Sequence, residues 1–467
     1  MRLYNTLTRR FDSITPQSTV SRSNRVKIYT CGLTVYSPPH IGNWTGYIYW
    51  DVLVRILIAE GFEVERTQNY TDVGHLVSDD DSGEDKMEKG AKREGLTAWD
   101  VADKYIAIAD HEAHELLGLV RPTHLVRATT LIEEQIAFVK ELEQKGFTYI
   151  IPNEGVYFDT SRLTDYGKLA QLDIAGLEAG ARVSVQGKRN ITDFAVWKLS
   201  PQGQQRDMEW ESPWGKGFPG WHLECSVIAK QTLGDQIDIH GGGIDHIPVH
   251  HTNEIAQTEA LTGKPFASFW MHNNHLKVDG GKMAKSLGNI YTLGDIVDHG
   301  YSIDAYKLMV LSKHYRTEGN FTWEIIAAAQ NTLDGFNSWA DLQFQDVASP
   351  ELAIRYQKLL RDLRSALSDD LGTPQAVAII HAMINAADHL GPDAAAIAHA
   401  TRSIDSLLGL SLSKRTDITP GQKQLIAQRA QARTVQDWQL SDQVRDKLKE
   451  QGITVSDTPQ GTQWARL

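Results

Sequence analysis

The sequence predicts an α/β protein in which a parallel-sheet domain, interrupted by an insertion, is followed by an α-helical bundle and a small C-terminal element. Three observations carry this. Residues 26–31 (VKIYTC) are β-branched and aromatic, a loop through Pro38 and Pro39 follows, Thr45–Glu60 is amphipathic with a helical period, and Phe62–Tyr70 alternates as a strand. Strand, loop, helix, strand is how a parallel βαβ unit opens. From about Trp323 to Leu410 the chain is Ala/Leu-rich with helical period and no strand signal, which reads as a bundle. At 467 residues the chain also exceeds what one core organises, so about three domains are expected.

Composition sets the class. With 41% apolar and 23% charged residues the chain reads as soluble and globular. No apolar run approaches the roughly 20 residues of a membrane span, so no membrane association is expected. The polar, charged N-terminus is unlike a signal peptide. Two cysteines in so long a chain exclude a disulfide framework and suggest a reducing compartment, so a cytoplasmic protein is expected. Net charge is −12, against an unstructured coating of nucleic acid. From Ser413 onward, however, nine Lys/Arg face six acids, which fits either an RNA-facing tail or a solvated helical surface.

In chain order, residues 1–125 form the first half of the sheet domain. Parallel units place ligands at strand carboxyl ends, here Cys31 and Thr71. Ser78–Gly90 reads as a mobile acidic loop: an EF-hand counted from Gly83 puts Ser78 at its first position and Lys89 at its twelfth, which fails as a calcium site. Helices are expected at 98–118 and 130–146. Residues 126–220 are an insertion, richer in Gly, Pro and short strand-like pieces (FTYII, VYFDT, FAVWKLS). The second half, 221–322, holds a strand at Phe266–His272 and a glycine-flanked loop, Asp279–Ser286. The bundle spans 323–410. Residues 411–467 hold two helices and the terminal ITVSDTPQGTQW.

Chemistry concentrates in Trp221–Glu254, where one of the two cysteines lies among histidines and a glycine triplet. Zinc wants four N, S or O ligands, thiolates where available. Cys31 and Cys225 are available, and His250 and Glu254, at i and i+4, share a helix face while His251 points about 100° away. Two buried cysteines and a surface helix explain the same spacing, and His111 with Glu115 repeats it. HEAH nearby is one residue short of HExxH. His40-Ile41-Gly42-Asn43 precedes a helix, where free N–H groups suit an anion and Gly42 allows close approach. Lys282 and Lys285, in a loop after two glycines, suit a triphosphate.

HIGN and KMAKS resemble the HIGH and KMSKS signatures of class I aminoacyl-tRNA synthetases. YTCGLTVYSPPHIGN, NYTDVG, PGWHLECS, DIHGGGID, HHTNEIAQ and DGGKMAKSLGN are similar, in order, to cysteinyl-tRNA synthetases, as are LYNTLTRRF and the tail's QARTVQDWQLSDQVRDKLKEQGI and DTPQGTQW. The resemblance covers nearly the whole chain, most loosely at 75–190 and 330–410. It implies a Rossmann-like catalytic domain split by a connective insertion and ending at the KMAKS loop, with an anticodon-binding domain at 411–467. It also implies activation of L-cysteine with ATP and magnesium, transfer to the 3′ end of tRNA(Cys), and one zinc per chain. The implied zinc ligands are Cys31, Cys225, His250 and Glu254. Zinc would bind the substrate thiolate, whereas a serine hydroxyl stays protonated and ligates poorly. Gly32, Thr71, Trp221, His240 and Asp245 match positions around the amino acid, with Asp245 suited to its ammonium. His40, Gly42, Asn43, Lys282 and Lys285 match the ATP signatures, and His40, Asn43 and the two lysines are the implied catalytic groups. Arg433, Trp438, Asp442 and Asp457 match anticodon-reading positions, donors and acceptors beside an aromatic platform.

The pattern departs in places. Asn43 replaces a histidine and cannot become cationic. Ala284 replaces a serine between the two lysines, HHTNE stands for the more usual HHENE, and His246 is an alternative ligand. The complete domain set leads to the expectation of a monomer. Two rival readings are a cysteine ligase acting on an amino-sugar, which needs no anticodon reader, and an inactive tRNA-binding paralogue.

Overall fold

The computed structural model describes residues 1–74, 85–172, 187–201, 203, 206–283, 287–458 and 461–467. Two compact units emerge, Met1–Ile296 with Tyr315–Phe321, and Val297–His314 with Thr322–Leu467.

The first unit is built on five parallel strands in the spatial order Ala267–Asn273, Ile237–Gly243, Arg25–Thr34, Glu63–Thr71, His124–Arg127. Arg25–Thr34 is central and buried along most of its length, as its β-branched and aromatic composition demands. From it the chain steps outward on one side through Glu63–Thr71 and His124–Arg127, then returns to build Ile237–Gly243 and Ala267–Asn273 on the other. The order therefore reverses between Arg25–Thr34 and Ile237–Gly243, and a parallel sheet opens a crevice at the strand carboxyl ends at such a point.

The expected first helix runs from Ile41 to Ala59, starting four residues earlier than its apolar periodicity suggests because His40 caps it. Trp50 from this helix packs on Gly241, where a Cβ would sit 3.3 Å from the indole. The helix expected at 98–118 is Ala98–His111 continued by a π-helical turn, Glu112–Leu116, and that expected at 130–146 is Ile132–Gln144. The three strand-like pieces within 126–220 become Thr148–Ile151, Gly155–Phe158 and Phe194–Leu199, joined by Gly217–Pro219 in a four-stranded antiparallel sheet. Of the acidic loop expected at 78–90, residues 78–84 lie outside the described residues. The remainder is not loop: Asp85 accepts from the Met87 and Glu88 amides and starts a helix, Lys86–Glu94. The His124–Arg127 edge strand and a hairpin of Arg2–Asn5 with Arg10–Ser13 are too short to show periodicity, and sequence patterning missed them.

The second unit contains helices Trp323–Asp341, Pro350–Ser368, Thr373–Leu390 and Ala394–Leu408. After these come Pro420–Thr434, Trp438–Glu450 and an antiparallel hairpin, Ile453–Thr458 with Gly461–Arg466, which is the expected terminal element. Ile418, Val444, Leu448, Ile453 and Trp464 form the small core that holds the pair of helices to the hairpin.

Candidate active site

Cys31 leaves the central strand through a bulge. Pairing runs from Thr30 opposite Gln68 to Leu33 opposite Tyr70, so one strand carries an extra residue across Cys31–Gly32. A bulge re-aims the side chain it carries. Gly32 is obligatory there: a Cβ would fall 1.5 Å from the Asn69 carbonyl oxygen, while the Gly32 amide donates to Asn69 Oδ1 at 2.7 Å. Cys225 comes from the first turns of Trp221–Leu233, and His250 and Glu254 from one face of His250–Thr262.

Donor atoms of Cys31, Cys225, His250 and Glu254 all lie within 4.8 Å of one another, and all four residues are buried. His250 Nε2 is 3.0 Å from Glu254 Oε1. Cys31, His240, His251 and Glu254 form a second cluster within the same limit. His251, expected to point away, has Nε2 3.3 Å from Cys31 Sγ and Nδ1 2.8 Å from His272 Nε2, whose own Nδ1 reaches Thr6 Oγ1 at 2.8 Å. His246 lies outside both clusters and nears His251 at 3.4 Å.

The electrostatics suit a divalent cation. Burial pushes the Cys31 thiol up, whereas Cys225 is brought to about 7 by its hydrogen bond with Cys31 against the opposing effect of burial. Burial pushes the Glu254 carboxyl up, but His240 and His250 outweigh it and hold it well below the usual carboxylate range. Burial pushes the His250 imidazolium down, yet Glu254 and Cys225 raise it to about 10. A proton on His250 thus balances charge where a metal would. Two sulfurs, one imidazole and one carboxylate are a donor set zinc accepts, and the set with both thiols fits better than the one with two imidazoles. Supporting partners are present. His222 Nδ1 lies 3.0 Å from His250 Nδ1, and His240 Nε2 lies 2.9 Å from Glu254 Oε2. Each orients a ligand from behind.

Around this cluster, the Trp221 ring lies tilted 4.5 Å from the His250 ring, with Lys86 Nζ 5.3 Å from the indole. Thr71 is buried and its hydroxyl accepts from Asn69 Nδ2 at 3.0 Å. Asp245 is solvent-exposed in the 3-10 turn Ile244–His246 that follows the strand Ile237–Gly243. His240, expected beside the amino acid, is fully buried, bonded to Glu254 and stacked on Trp270 at 4.5 Å.

The two phosphate signatures meet. Ile41 N donates to the Tyr291 carbonyl at 2.9 Å, and a Cβ on Gly42 would sit 2.2 Å from Met283 Cε. Met283, next to Lys282, therefore lies over the glycine of HIGN. Lys282 is exposed, while Lys285 lies outside the described residues. Asn43 closes a capping box: its Oδ1 accepts from the His40 amide at 3.0 Å, and its own amide donates to His40 Nδ1 at 3.3 Å. Because a backbone amide can only donate, His40 Nδ1 is unprotonated and the ring carries its proton on Nε2.

In the second unit, the Arg433 guanidinium lies 5.4 Å from the Trp438 ring, and Trp438 is 55% exposed. Asp442 is exposed and pairs with Arg445 at 2.8 Å. Asp457 is gripped by Arg429, a residue for which sequence reading assigned no role.

A parallel sheet whose strand order reverses beside its central strand, with Met283 of the lysine loop lying over the HIGN glycine at one helix N-terminus, is the arrangement of a class I aminoacyl-tRNA synthetase. A solved methionyl-tRNA synthetase of Mycobacterium tuberculosis in complex with methionyl-adenylate shares this fold with a TM-score of 0.60 at 13% identity, over 84% of this chain and 92% of that one. Residues 17–331 match the family described as tRNA synthetases class I (C) catalytic domain, and residues 415–464 match the cysteinyl-tRNA ligase anticodon binding domain. A cysteine–tRNA ligase 1 of Burkholderia lata is 43% identical over 98% of this chain and 95% of its own, and a cysteine–tRNA ligase of Treponema denticola is 36% identical over the whole of both. The chain belongs to the cysteine–tRNA ligase family. It is an aminoacyl-tRNA ligase, with tRNA, cysteine and ATP as partners. The amino-sugar and inactive-paralogue alternatives are not favoured. Among the described residues no helix is long and apolar enough to cross a membrane.

Proposed function

We propose that the chain activates L-cysteine as an adenylate and charges tRNA(Cys), with one zinc held by Cys31, Cys225, His250 and Glu254 selecting the substrate. The observation that carries this is the buried gathering of those four donors at the sheet's switch point. Bound zinc would supply a preference for a thiolate over a hydroxyl, which makes serine a poor substrate without an editing site. Trp221 and Thr71 flank the side-chain end, Gly32 lets the substrate approach the bulge, and exposed Asp245 suits the ammonium. His240 serves this pocket from behind by holding Glu254.

The cysteine carboxylate oxygen attacks the α-phosphorus of magnesium-bound ATP, the bond to the bridging oxygen breaks, and pyrophosphate leaves. His40 donates from Nε2 to the phosphates, Gly42 allows their close approach, and Asn43 fixes the ring and donates through its amide. Lys282 and Lys285 neutralise charge on the leaving group. A terminal ribose hydroxyl of tRNA then attacks the adenylate carbonyl, releasing AMP. Arg433, Trp438, Asp442 and Asp457 read the anticodon. The chain acts as a monomer, and its two unbridged thiols suit the reducing cytoplasm.

The test is cysteine-dependent ATP–pyrophosphate exchange by metallated protein, followed by charging of tRNA(Cys). No exchange with cysteine overturns the reading. Exchange without charging overturns the choice of acceptor.

A further inference from the structure

Asp457 sits in the terminal hairpin and is expected to read the anticodon, yet its carboxylate is already occupied. Arg429 Nη1 donates to Oδ1 and Nη2 to Oδ2, both at 2.8 Å. Thr462 Oγ1 donates to Oδ1 at 2.8 Å, and Arg433 Nε lies 3.1 Å from Oδ2. A carboxylate offers about four lone-pair sites; the three hydrogen bonds take three, and the Arg433 guanidinium stands beside Oδ2 as an ion pair. A base reaching for Oδ2 must therefore compete with Arg433.

The contacts are not equivalent. The Arg429 fork is bidentate, and its side chain is 7% exposed, wedged between its helix and the hairpin. Arg433, one turn along the same helix, makes only an ion-pair contact at 3.1 Å, has a side chain 39% exposed and lies over the Trp438 ring. Bidentate Arg–carboxylate pairs are the stronger and more directional kind. The exposed partner is the exchangeable one and the buried partner is the fixed one.

We propose that Arg429 is a positioning residue for anticodon recognition. It keeps Asp457 aimed while Arg433 swings from that carboxylate to RNA. Arg429 itself touches no nucleotide. The inference rests on the proposed anticodon role of Asp457, Arg433 and Trp438.

The experiment uses the full-length, zinc-loaded enzyme with R429M, R429K, D457N and W438A, each checked for folding by thermal melting. Pyrophosphate exchange without tRNA is measured alongside KM and kcat for charging of tRNA(Cys) transcripts with native or singly substituted anticodons. R429M is expected to leave exchange unchanged, to raise KM for native tRNA about tenfold with little change in kcat, and to shrink the penalty for substituted anticodons. R429K, which keeps the charge but not the fork, should recover part of the KM. Should R429M fail to fold, R429K carries the test through the same KM and discrimination readouts. Folded Arg429 variants with native KM and native discrimination overturn the proposal if D457N or W438A raises KM. If none of the four variants alters KM, the anticodon assignment itself fails.

Discussion

Replacing His222 tests whether the histidine behind the ligand, and not the ligands alone, sets metal affinity. His222 Nδ1 and His250 Nδ1 are 3.0 Å apart, and both residues are almost completely buried. A metal on His250 Nε2 needs the lone pair there, so the ring must carry its proton on Nδ1 and donate it to an unprotonated His222 Nδ1. His222→Phe keeps ring volume but removes the acceptor, leaving a buried N–H with nothing to meet. Loss of such a partner lowers metal affinity about 10- to 100-fold, or roughly 1.4–2.8 kcal/mol. His222→Gln restores an acceptor and should recover part of it. The assay is competition for zinc against a chromophoric chelator at neutral pH, with thermal melting as the control for folding. A folded His222→Phe enzyme whose zinc Kd stays within about twofold of the parent refutes this reading of the His222–His250 contact.

Other perturbations test neighbouring parts of the enzyme. Cys225→Ser should purify without stoichiometric zinc and lack cysteine-dependent exchange; full metal content by atomic absorption would count against the ligand set. Gly32→Ala cannot be accommodated without moving backbone, because its Cβ would lie 1.5 Å from the Asn69 carbonyl oxygen, so lost solubility or a greatly lowered melting temperature is expected. Asn43→Ala removes one bond of the capping box and should cost about 1 kcal/mol of stability, seen in chemical unfolding. It should also slow pyrophosphate exchange by loosening His40, with exchange kinetics as the readout. The hydrogen bonds from Arg429 lower the Asp457 carboxyl from 3.8 to about 2, so their stabilising contribution is complete above the ordinary value and is lost as pH falls through about 2. Asp457→Asn should therefore flatten the acid dependence of hydrogen exchange in the Ile453–Arg466 hairpin between those limits; a parallel acid profile in the two proteins would contradict it.

What the sequence revealed of the site, and what it hid, divides along physical lines. Spacing could place His250 and Glu254 on one helix face because the helical period is local, and two cysteines in a long chain limit where thiolate ligands come from. Bringing Cys31 to Cys225 depended on the resemblance, since nothing local spans the stretch of almost two hundred residues between them. The bulge at Cys31–Gly32 was invisible because it exists only as a mismatch of register with Gln68–Tyr70, a property of two strands and not of one. The helical period turns His251 about 100° from His250, yet its Nε2 lies 3.3 Å from Cys31 Sγ, because helix period alone does not say which neighbouring elements surround each face. The signals that were present but unread are short and chemical. His40 and Asn43 stand three apart at a helix start, the reciprocal spacing of a capping box, so the change from a second histidine to asparagine supplies an acceptor that closes the first turn. Arg429 and Arg433 stand four apart on one helix, and the resemblance gives a role to Arg433 alone, leaving Arg429 as tail charge. Their shared partner, Asp457, comes from a hairpin more than twenty residues later, and only the folded C-terminal element distinguishes the buried arginine that holds the carboxylate from the exposed one that can release it.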